Sequence, residues 1–376
     1  QSFGAGLFQD SSALTIRDLG PSDSVQISGI RFSSTLLGGL SPSAIYIANC
    51  AGAVMLADVV SNTGLGIFGT QGSGLIFDST NVTLDRCSFE SFPSAMGIGL
   101  DVGQPGLYVS NSFVHVNNST ISGAAGSTIF TDFPLHGGPG IRAEGSTIRI
   151  SRSVITGGMG GFDTPFSLPG GSTRNGGPAT EGPGSQFFVR GGAGNLLQGG
   201  AGGSGTDAAG MPTFGNGAPA MSVDSTSFAS TSQDSVLVAG TDPAGGTSSP
   251  AVLNLGTYLP LVESYATLGI APNLATLGSV VAIDLGAEPN SSYFTFYSFS
   301  LGQATSFPGV FGVSVLNLSA LRSIAVQTLD AQGVGQLTIT IPMTPSLVGV
   351  NLVAQGLSVS PGGQGSISAP SLLSIH

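Results

Sequence analysis

The chain has no lysine, no tryptophan and only two cysteines, Cys50 and Cys87. Charged residues make up 8% of its 376 residues, against ~25% in an average globular protein. Nine basic residues face 20 acidic ones, and the net charge of -11 argues against nucleic acid or an anionic membrane as partner. No apolar run reaches the ~18 residues of a membrane-spanning helix. Glu and Arg are also too scarce to build the polar faces of long amphipathic helices.

Two cysteines are too few for a disulfide framework, and a metal site needs at least three protein ligands. We therefore expect neither a metal nor a cofactor. The first residue is Gln1 rather than Met, as in a mature secreted chain or a truncated one. The low charge and the many Ser, Thr and Asn residues suit an extracellular surface, so we expect a secreted protein.

Glycine is abundant instead, with 60 residues, and there are 22 prolines. Apolar residues reach 40%, which excludes a polar disordered chain. This composition indicates an all-β protein rich in turns.

The first two-thirds contain a repeat. Segments of similar pattern begin at 44, 74, 106, 140 and 220, for example GLIFDSTNV (74–82) and GLYVSNSFV (106–114). A second pattern, with apolar residues at its first and third positions, recurs at 25–32, 54–61, 82–89, 114–121 and 148–155. Short period-2 runs that recur every ~30 residues predict stacked coils of strands, a parallel β-helix.

This pattern resembles the right-handed parallel β-helices of the pectate-lyase-like superfamily over residues 10–255. The domain boundaries that we predict are an N-terminal strand at 1–10, a right-handed parallel β-helix at 11–262 and an antiparallel β-sandwich at 263–376. A glycine-rich stretch at about 157–219 interrupts the repeat. It is either a long surface insertion or glycine backbone packed closely on itself or on a neighbouring subunit.

Seven short strand candidates follow residue 265: 280–285, 293–301, 313–318, 324–329, 336–341, 350–357 and 366–375. Their density predicts the antiparallel β-sandwich. Residues 339–375 resemble a C-terminal sandwich of many secreted bacterial proteins, with a strand that ends in IP, a PSLVG turn, a strand with a Gln and a final Ser-rich strand. That resemblance implies a bacterial source and no particular activity.

Outward positions of the repeat bring Asp85, His115, Arg149 and Arg152 onto one face, since stacked strands are ~4.8 Å apart. Such a face suits an acidic polysaccharide, with Arg as a clamp and His or Asp as a base. A solvated ladder of paired charges is the simpler interpretation, and it predicts that Asp85, His115 and Arg149 are dispensable for folding.

The resemblance implies polysaccharide lyases or hydrolases, but their signatures are missing. There is no lysine, no tight acidic cluster for calcium, no Asp-Asp, no Gly-His-Gly and no Arg-x-Lys. We therefore expect no enzymatic activity.

The N-terminal strand is a candidate for assembly. Phe3, Ala5 and Leu7 alternate with small residues and Phe8 follows, so one face is apolar. The segment either caps its own β-helix or is donated to the sandwich of a neighbouring copy. Donation is heterologous and builds filaments unless it closes into a ring.

Our leading hypothesis is a secreted structural protein that forms an extracellular fibre or surface assembly with copies of itself. The alternative is a polysaccharide-binding adhesin or polysaccharide-active enzyme that uses the Asp85, His115, Arg149 and Arg152 face.

Overall fold

The computed structural model describes residues 14–33, 44–63, 72–91, 103–126, 136–162, 174–190, 194–206, 209, 211–232, 234–243, 249–261 and 266–376. The predicted N-terminal strand with Phe3, Ala5, Leu7 and Phe8 lies outside these residues.

The first part is a parallel β-helix of three long sheets, each built from one strand per coil. Sheet A contains β1 (Leu14–Arg17), β4 (Ile45–Ala48), β7 (Gly74–Phe77), β10 (Leu107–Ser110), β13 (Ile141–Glu144), β16 (Thr180–Glu181), β21 (Met221–Val223) and β24 (Val252–Asn254). Sheet B contains β2 (Ser24–Ser28), β5 (Ala53–Ala57), β8 (Val82–Asp85), β11 (Phe113–Asn117), β14 (Thr147–Ser151), β17 (Gln186–Val189), β22 (Phe228–Ser232) and β25 (Thr257–Leu261). Sheet C contains β3 (Arg31–Ser33), β6 (Val60–Thr63), β9 (Ser88–Ser91), β12 (Thr120–Ser122), β15 (Val154–Thr156), β18 (Leu196–Gln198) and β23 (Val236–Val238).

The predicted register of the repeat is confirmed. Val54, Val82, Val114 and Ile148 lie opposite one another along sheet B. All four are at most 1% exposed, because the inward residue of each coil packs between those of the coils before and after it. The parallel β-helix therefore follows from the period and the alternation of the sequence.

The stretch 157–219 differs from the predicted insertion, since it contains a complete sixth coil. β16, β17 and β18 pair in parallel with the strands before and after them in all three sheets. A two-stranded hairpin of β19 (Ser204–Thr206) and β20 (Pro212–Phe214) follows. The coil escaped the sequence pattern because β16 is only two residues long and its neighbours are glycine and proline.

The corners of the coils require left-handed backbone. Asn and Asp occupy several of these positions with positive φ, as expected for the residues that adopt this conformation at least cost after glycine. Arg86 (φ 53°) and Arg152 (φ 50°) are the exceptions at the corner between sheets B and C. Arginine has no local preference for the left-handed conformation, so contacts of its side chain must offset the conformational cost.

Antiparallel sheets follow the β-helix, as predicted. Sheet D contains β26 (Thr267–Ala271), β28 (Val280–Gly286) and β34 (Val334–Thr340). Sheet E contains β27 (Leu274–Ala275), β37 (Ser371–Ile375), β35 (Asn351–Val359), β29 (Ser292–Ser298) and β33 (Arg322–Thr328). Smaller pairs join β30 (Leu301–Thr305) to β32 (Ser314–Leu316), and β31 (Val310–Phe311) to β36 (Gly365–Ile367). Two 3-10 turns lie at Leu318–Ala320 and Pro345–Leu347.

Each part has its own core. The interior of the β-helix is one continuous cluster that runs from Ile16 to Ala229. Sheets D and E share a second cluster, with Val281 and Ile283 of one sheet packed with Tyr293 and Leu373 of the other. A third cluster lies between the two parts, where Ala53 and Met55 of sheet B meet Val315 and Leu372. Sheet B therefore packs on both of its faces. Among the described residues no helix is long and apolar enough to cross a bilayer.

Candidate functional site

The outward face of sheet B is where the sequence placed a polysaccharide-binding surface. Asp85 ends β8, and its side chain is fully buried. Its Oδ2 accepts hydrogen bonds from the backbone N–H of Leu372 (3.1 Å) and the hydroxyl of Ser371 (3.2 Å), both on β37. Asn117 donates to Oδ1 at 3.0 Å. Asp85 therefore fastens the C-terminal strand to the β-helix and is closed to a polysaccharide.

Arg86 completes this anchor. It forms an ion pair with Asp85 (2.5 Å) and a bidentate ion pair with Asp58 (3.0 and 3.2 Å). Its guanidinium also donates to the carbonyl of Leu372 (3.0 Å) and to Ser371 (3.1 Å). Burial raises the pKa of the Asp85 carboxyl, and the ion pair with Arg86 opposes that shift. We call Asp58, Asp85 and Arg86 the carboxylate clamp.

Arg152 forms a second, more open connection between the two parts. Its Nη2 lies 3.5 Å from Oδ2 of Asp284 on β28, and its Nε donates to Asn118 at 3.1 Å. Both members of the ion pair are partly exposed, by 25% and 36% of their side chains. The contacts of Arg86 and Arg152 give the reason for arginine at these two left-handed corners.

His115 and Arg149 are neighbours on adjacent strands, β11 and β14, as the repeat predicted. The His115 ring packs edge-on against Phe113 with ring centroids 4.8 Å apart. Burial, aided by the charge of Arg149, lowers the pKa of His115 to about 3. The ring is therefore neutral at physiological pH and is not placed to act as a general base there.

Phe311 of the C-terminal sheets covers this part of sheet B. The guanidinium carbon of Arg149 lies 4.3 Å from the centre of the Phe311 ring, and that of Arg190 lies 4.7 Å away. A cavity of about 40 Å³ remains beside them, lined also by His115 and Phe188. It has room for a water-sized molecule and not for a sugar ring. The polysaccharide face predicted at Asp85, His115, Arg149 and Arg152 is thus an interface between the two parts.

Serine hydroxyls form a ladder inside the corner between sheets A and B. Each Oγ accepts the backbone N–H of the ladder residue one coil before, at 3.0–3.3 Å. The members are Ser79, Ser112, Ser146, Ser185 and Ser227. The first four also donate to a carbonyl two residues earlier. A second ladder at the next corner runs through Ser119, Ser153 and Asn195.

The two cysteines occupy the first position of the two ladders. Cys50 donates its backbone N–H to Ser79, and Cys87 donates its own to Ser119. Both thiols are free and buried. Burial raises the pKa of both, that of Cys87 to about 12. Neither thiol has the low pKa of a reactive cysteine.

The glycine-rich segments form a seam along the corner between sheet C and the next strand of sheet A. Here a row of backbone hydrogen bonds, 2.7–2.9 Å long, joins segments that leave a coil to segments that enter the next coil. The two kinds of segment alternate along the row. Its donors are Gly138, Gly158, Gly177, Gly200, Ala218 and Gly240. We call this row the glycine seam. Of the two sequence-based alternatives, the described residues show glycine backbone packed on itself.

The seam requires glycine because of space. A Cβ on Gly158 would lie 1.8 Å from the carbonyl oxygen of Ala124, and one on Gly200 would lie 1.8 Å from that of Gly158. A signal for this arrangement was present in the sequence. HGGPG (136–140), NGGPA (175–179) and NGAPA (216–220) directly precede β13, β16 and β21. This repeat marks the sixth coil that the apolar pattern missed.

An aromatic strip lies on the outward face of sheet A. The ring of Phe77 is 5.8 Å from Tyr46 and 5.5 Å from Tyr108, and all three side chains are half-buried. Arg142 and Glu144 continue the face with an ion pair of 3.3 Å. No group of three or more His, Cys, Asp or Glu that could hold a metal occurs among the described residues.

The last coil exposes apolar residues and strand edges. In the part of the chain that the structure describes, β24 and β25 pair with the preceding coil alone, and β23 is the last strand of sheet C. These three strands carry no charged residue. Leu255 is 70% exposed and Leu259 is 47% exposed. Pro260 lacks an N–H and is the only edge-blocking residue in these strands.

Comparison with known proteins adds no family. No family model matches the chain, and no curated protein matches it. Among solved structures, the sporulation control protein Spo0M of Bacillus subtilis aligns with a TM-score of 0.18 and 10% identity, over 30% of this chain and 50% of Spo0M.

Two tailspike structures align over more of the chain. The enzymatically active domain of tailspike protein 2 from bacteriophage CBA120 gives a TM-score of 0.28 at 10% identity, over 99% of this chain and 60% of that one. Full-length tailspike protein 2 from an Escherichia coli O157:H7 bacteriophage gives 0.24 at 10% identity, over 93% and 50%. The chain thus spans 50–60% of the structures it resembles. TM-scores this low carry no argument, so the fold rests on the strand pairing described above.

Proposed function

We propose that the protein is an extracellular structural subunit that assembles head to tail through the ends of its β-helix. The observation that carries this proposal is the last coil, whose strands β24 and β25 have no further strand beside them among the described residues and carry no charged residue. Natural proteins protect such edges because they pair with other chains. Here the inward-facing Val252 and Tyr258 are only partly buried, which suits continuation of the stack by another copy.

The alternative, polysaccharide binding, is less well supported. The face first predicted for it is covered by Phe311, Ser371 and Leu372. The aromatic strip of sheet A is the remaining candidate surface. Its rings lie against one another, and Arg142 is already paired with Glu144. A structural subunit explains the open end as well as the covered face.

Sedimentation velocity over a range of concentrations, followed by electron microscopy, tests the proposal. We expect the wild type to form elongated oligomers whose size grows with concentration. Replacement of both Leu255 and Leu259 by Lys should leave a folded monomer, because charged side chains on an edge strand oppose its pairing with another chain. A matched control replaces Met343 and Val348, which are 76% and 55% exposed on the C-terminal sheets, by Lys and should assemble normally. A wild type that stays monomeric up to its solubility limit would contradict the proposed function.

A further inference from the structure

The C-terminal sheets and the β-helix can separate without either part losing its own core. The core of the β-helix and the core of sheets D and E have no residue in common. The two parts are joined along the outward face of sheet B, through the third cluster, the carboxylate clamp and the contacts around Phe311. Separation along this face would therefore expose the interface and leave both cores buried.

His115 lies on this outward face. Its neighbours in β11, Val114 and Val116, are 0% exposed and belong to the core of the β-helix, so the alternation along the strand turns His115 outward. His115 is nevertheless only 2% exposed. The residues of the C-terminal part that line the cavity beside its ring are Ala266, Phe311, Ile367 and Ala369. Removal of the C-terminal sheets would thus bring the ring into contact with water.

The charged groups that face the ring from sheet B are cations. Arg149 lies opposite His115 on β14, and Arg190 of β17 lines the same cavity. None of the described residues that line this cavity is acidic. Within the described part of the chain, Nε2 of His115 has no hydrogen-bond partner. A proton added to the ring would therefore place another positive charge beside the two guanidinium groups, without an acceptor at Nε2.

Asp85 is the titratable group on the other side of the ring. It ends β8, the strand that pairs with β11 on that side, and it lies beside Arg86 and Asp58. Ser371 and Leu372, which face it from the C-terminal sheets, carry no charge. Burial raises the pKa of Asp85, so its protonation in acid favours the closed arrangement, in which the C-terminal sheets cover sheet B. A comparison with a variant that lacks the histidine, made at the same pH, cancels this opposing contribution.

We propose that protonation of His115 releases the C-terminal sheets from sheet B while the β-helix stays folded. In the closed form the protonated ring would lie beside Arg149 and Arg190, whereas in the released form it is hydrated. The closed form therefore loses stability as the pH falls. This release goes beyond the proposed assembly and does not depend on it.

The change in the pKa of His115 sets the size of the effect. This pKa is about 3 in the closed form, whereas that of a hydrated histidine is ~6.5. Between pH 7.5 and pH 5 the released form takes up a proton and the closed form does not. The ratio of released to closed molecules should therefore rise ~30-fold over this range.

The rate of thiol labelling measures the released form. Ala53→Cys puts a thiol on the outward face of sheet B, where Ala53 is 3% exposed and packs in the third cluster. Cys50 and Cys87 lie in the core of the β-helix and report its unfolding. A disulfide reagent that reacts at both pH 7.5 and pH 5 is applied to Ala53→Cys and to the double variant that also carries His115→Gln.

We expect acidification to accelerate labelling of the new thiol ~30-fold more in Ala53→Cys than in the double variant. Cys50 and Cys87 should stay unlabelled on that time scale. Equal acceleration in the two proteins, or none in either, would overturn the proposal. Labelling of the native cysteines as fast as the new thiol would also overturn it, because the whole chain would then be unfolding.

Hydrogen exchange repeats the comparison without an added cysteine, in case Ala53→Cys does not fold. At pH 5, β37 should exchange faster in the wild type than in His115→Gln, whereas β10 of sheet A should exchange alike in both. Equal protection of β37 in the two proteins would contradict the release. None of these outcomes bears on the head-to-tail assembly, which sedimentation velocity tests separately.

Discussion

A histidine buried beside an arginine makes the folded state sensitive to acid. The unfolded chain takes up a proton at His115 near pH 6.5, whereas the folded chain does so only near pH 3. Acidification between these values therefore favours unfolding, and this contribution to stability is lost as the pH falls. The slope is about 1.4 kcal/mol per pH unit for one group.

We predict that His115→Gln flattens the dependence of the free energy of unfolding on pH between 6.5 and about 3. Urea unfolding of both proteins at several pH values in this range measures the difference. The carboxylates titrate alike in the wild type and in the variant, so their contribution cancels when the two proteins are compared. Parallel curves for wild type and variant would show that the histidine accepts a proton as easily when folded as when unfolded.

The stacked strands are the elements that the sequence predicts best. Inward residues such as Val82 and Leu84 alternate with outward ones, and this alternation recurs in each coil. Most of the longer antiparallel strands were also placed, although the predicted 366–375 divides into Gly365–Ile367 and Ser371–Ile375. The predicted 293–301 spans the break between β29 and β30, and β26 was missed. Alternation of apolar and polar residues arises when one face of a strand is buried and the other is solvated, so it identifies only strands of that kind.

The same pattern fails where both sides of a strand are covered or where no side chain is present. Asp85 and His115 read as outward and solvated because the repeat does not reveal that the C-terminal sheets cover sheet B. The glycine seam has no apolar residues to alternate, so its coil was taken for an insertion. Where backbones pack directly on one another, the sequence shows only that small residues recur at a regular spacing.

Substitution within the glycine seam tests its packing. We predict that Gly158→Ala lowers the free energy of unfolding by ~3 kcal/mol, since the new methyl group would overlap a carbonyl oxygen and the seam would have to open. Thermal and urea unfolding measure the loss. The control is Gly362→Ala in an open turn, where the nearest atom, Oγ of Ser360, would be 3.7 Å from the new carbon. Equal stability of the two variants would show that the seam is loosely packed.

For the molecule as a whole, the carboxylate clamp decides whether the two parts behave as one. Asp85→Ala would leave the Leu372 N–H without its buried acceptor and would remove one of the two carboxylates paired with Arg86. We predict a loss of ~3–5 kcal/mol together with faster hydrogen exchange in β37. Asp284→Ala removes the partly exposed pair with Arg152 and should cost less than ~1 kcal/mol.

Urea unfolding and hydrogen exchange by mass spectrometry measure the two clamp variants. If both variants lose the same free energy of unfolding, the buried carboxylate clamp contributes no more to stability than the partly exposed ion pair. If Asp85→Ala is destabilised while exchange in β37 stays at the wild-type rate, the interface is held by the apolar cluster around Met55 and Leu372.

The C-terminal sheets touch the β-helix at several heights. They meet Met55 in the second coil, Asp85 in the third, Arg149 in the fifth and Arg190 in the sixth. The C-terminal sheets therefore connect several coils along the axis of the β-helix. In a fibre under tension, the coils that contact the C-terminal sheets would share the load and yield together, whereas the last two coils would separate one at a time. The last coils, through which we propose that copies join, would then extend first and spare the rest of each subunit.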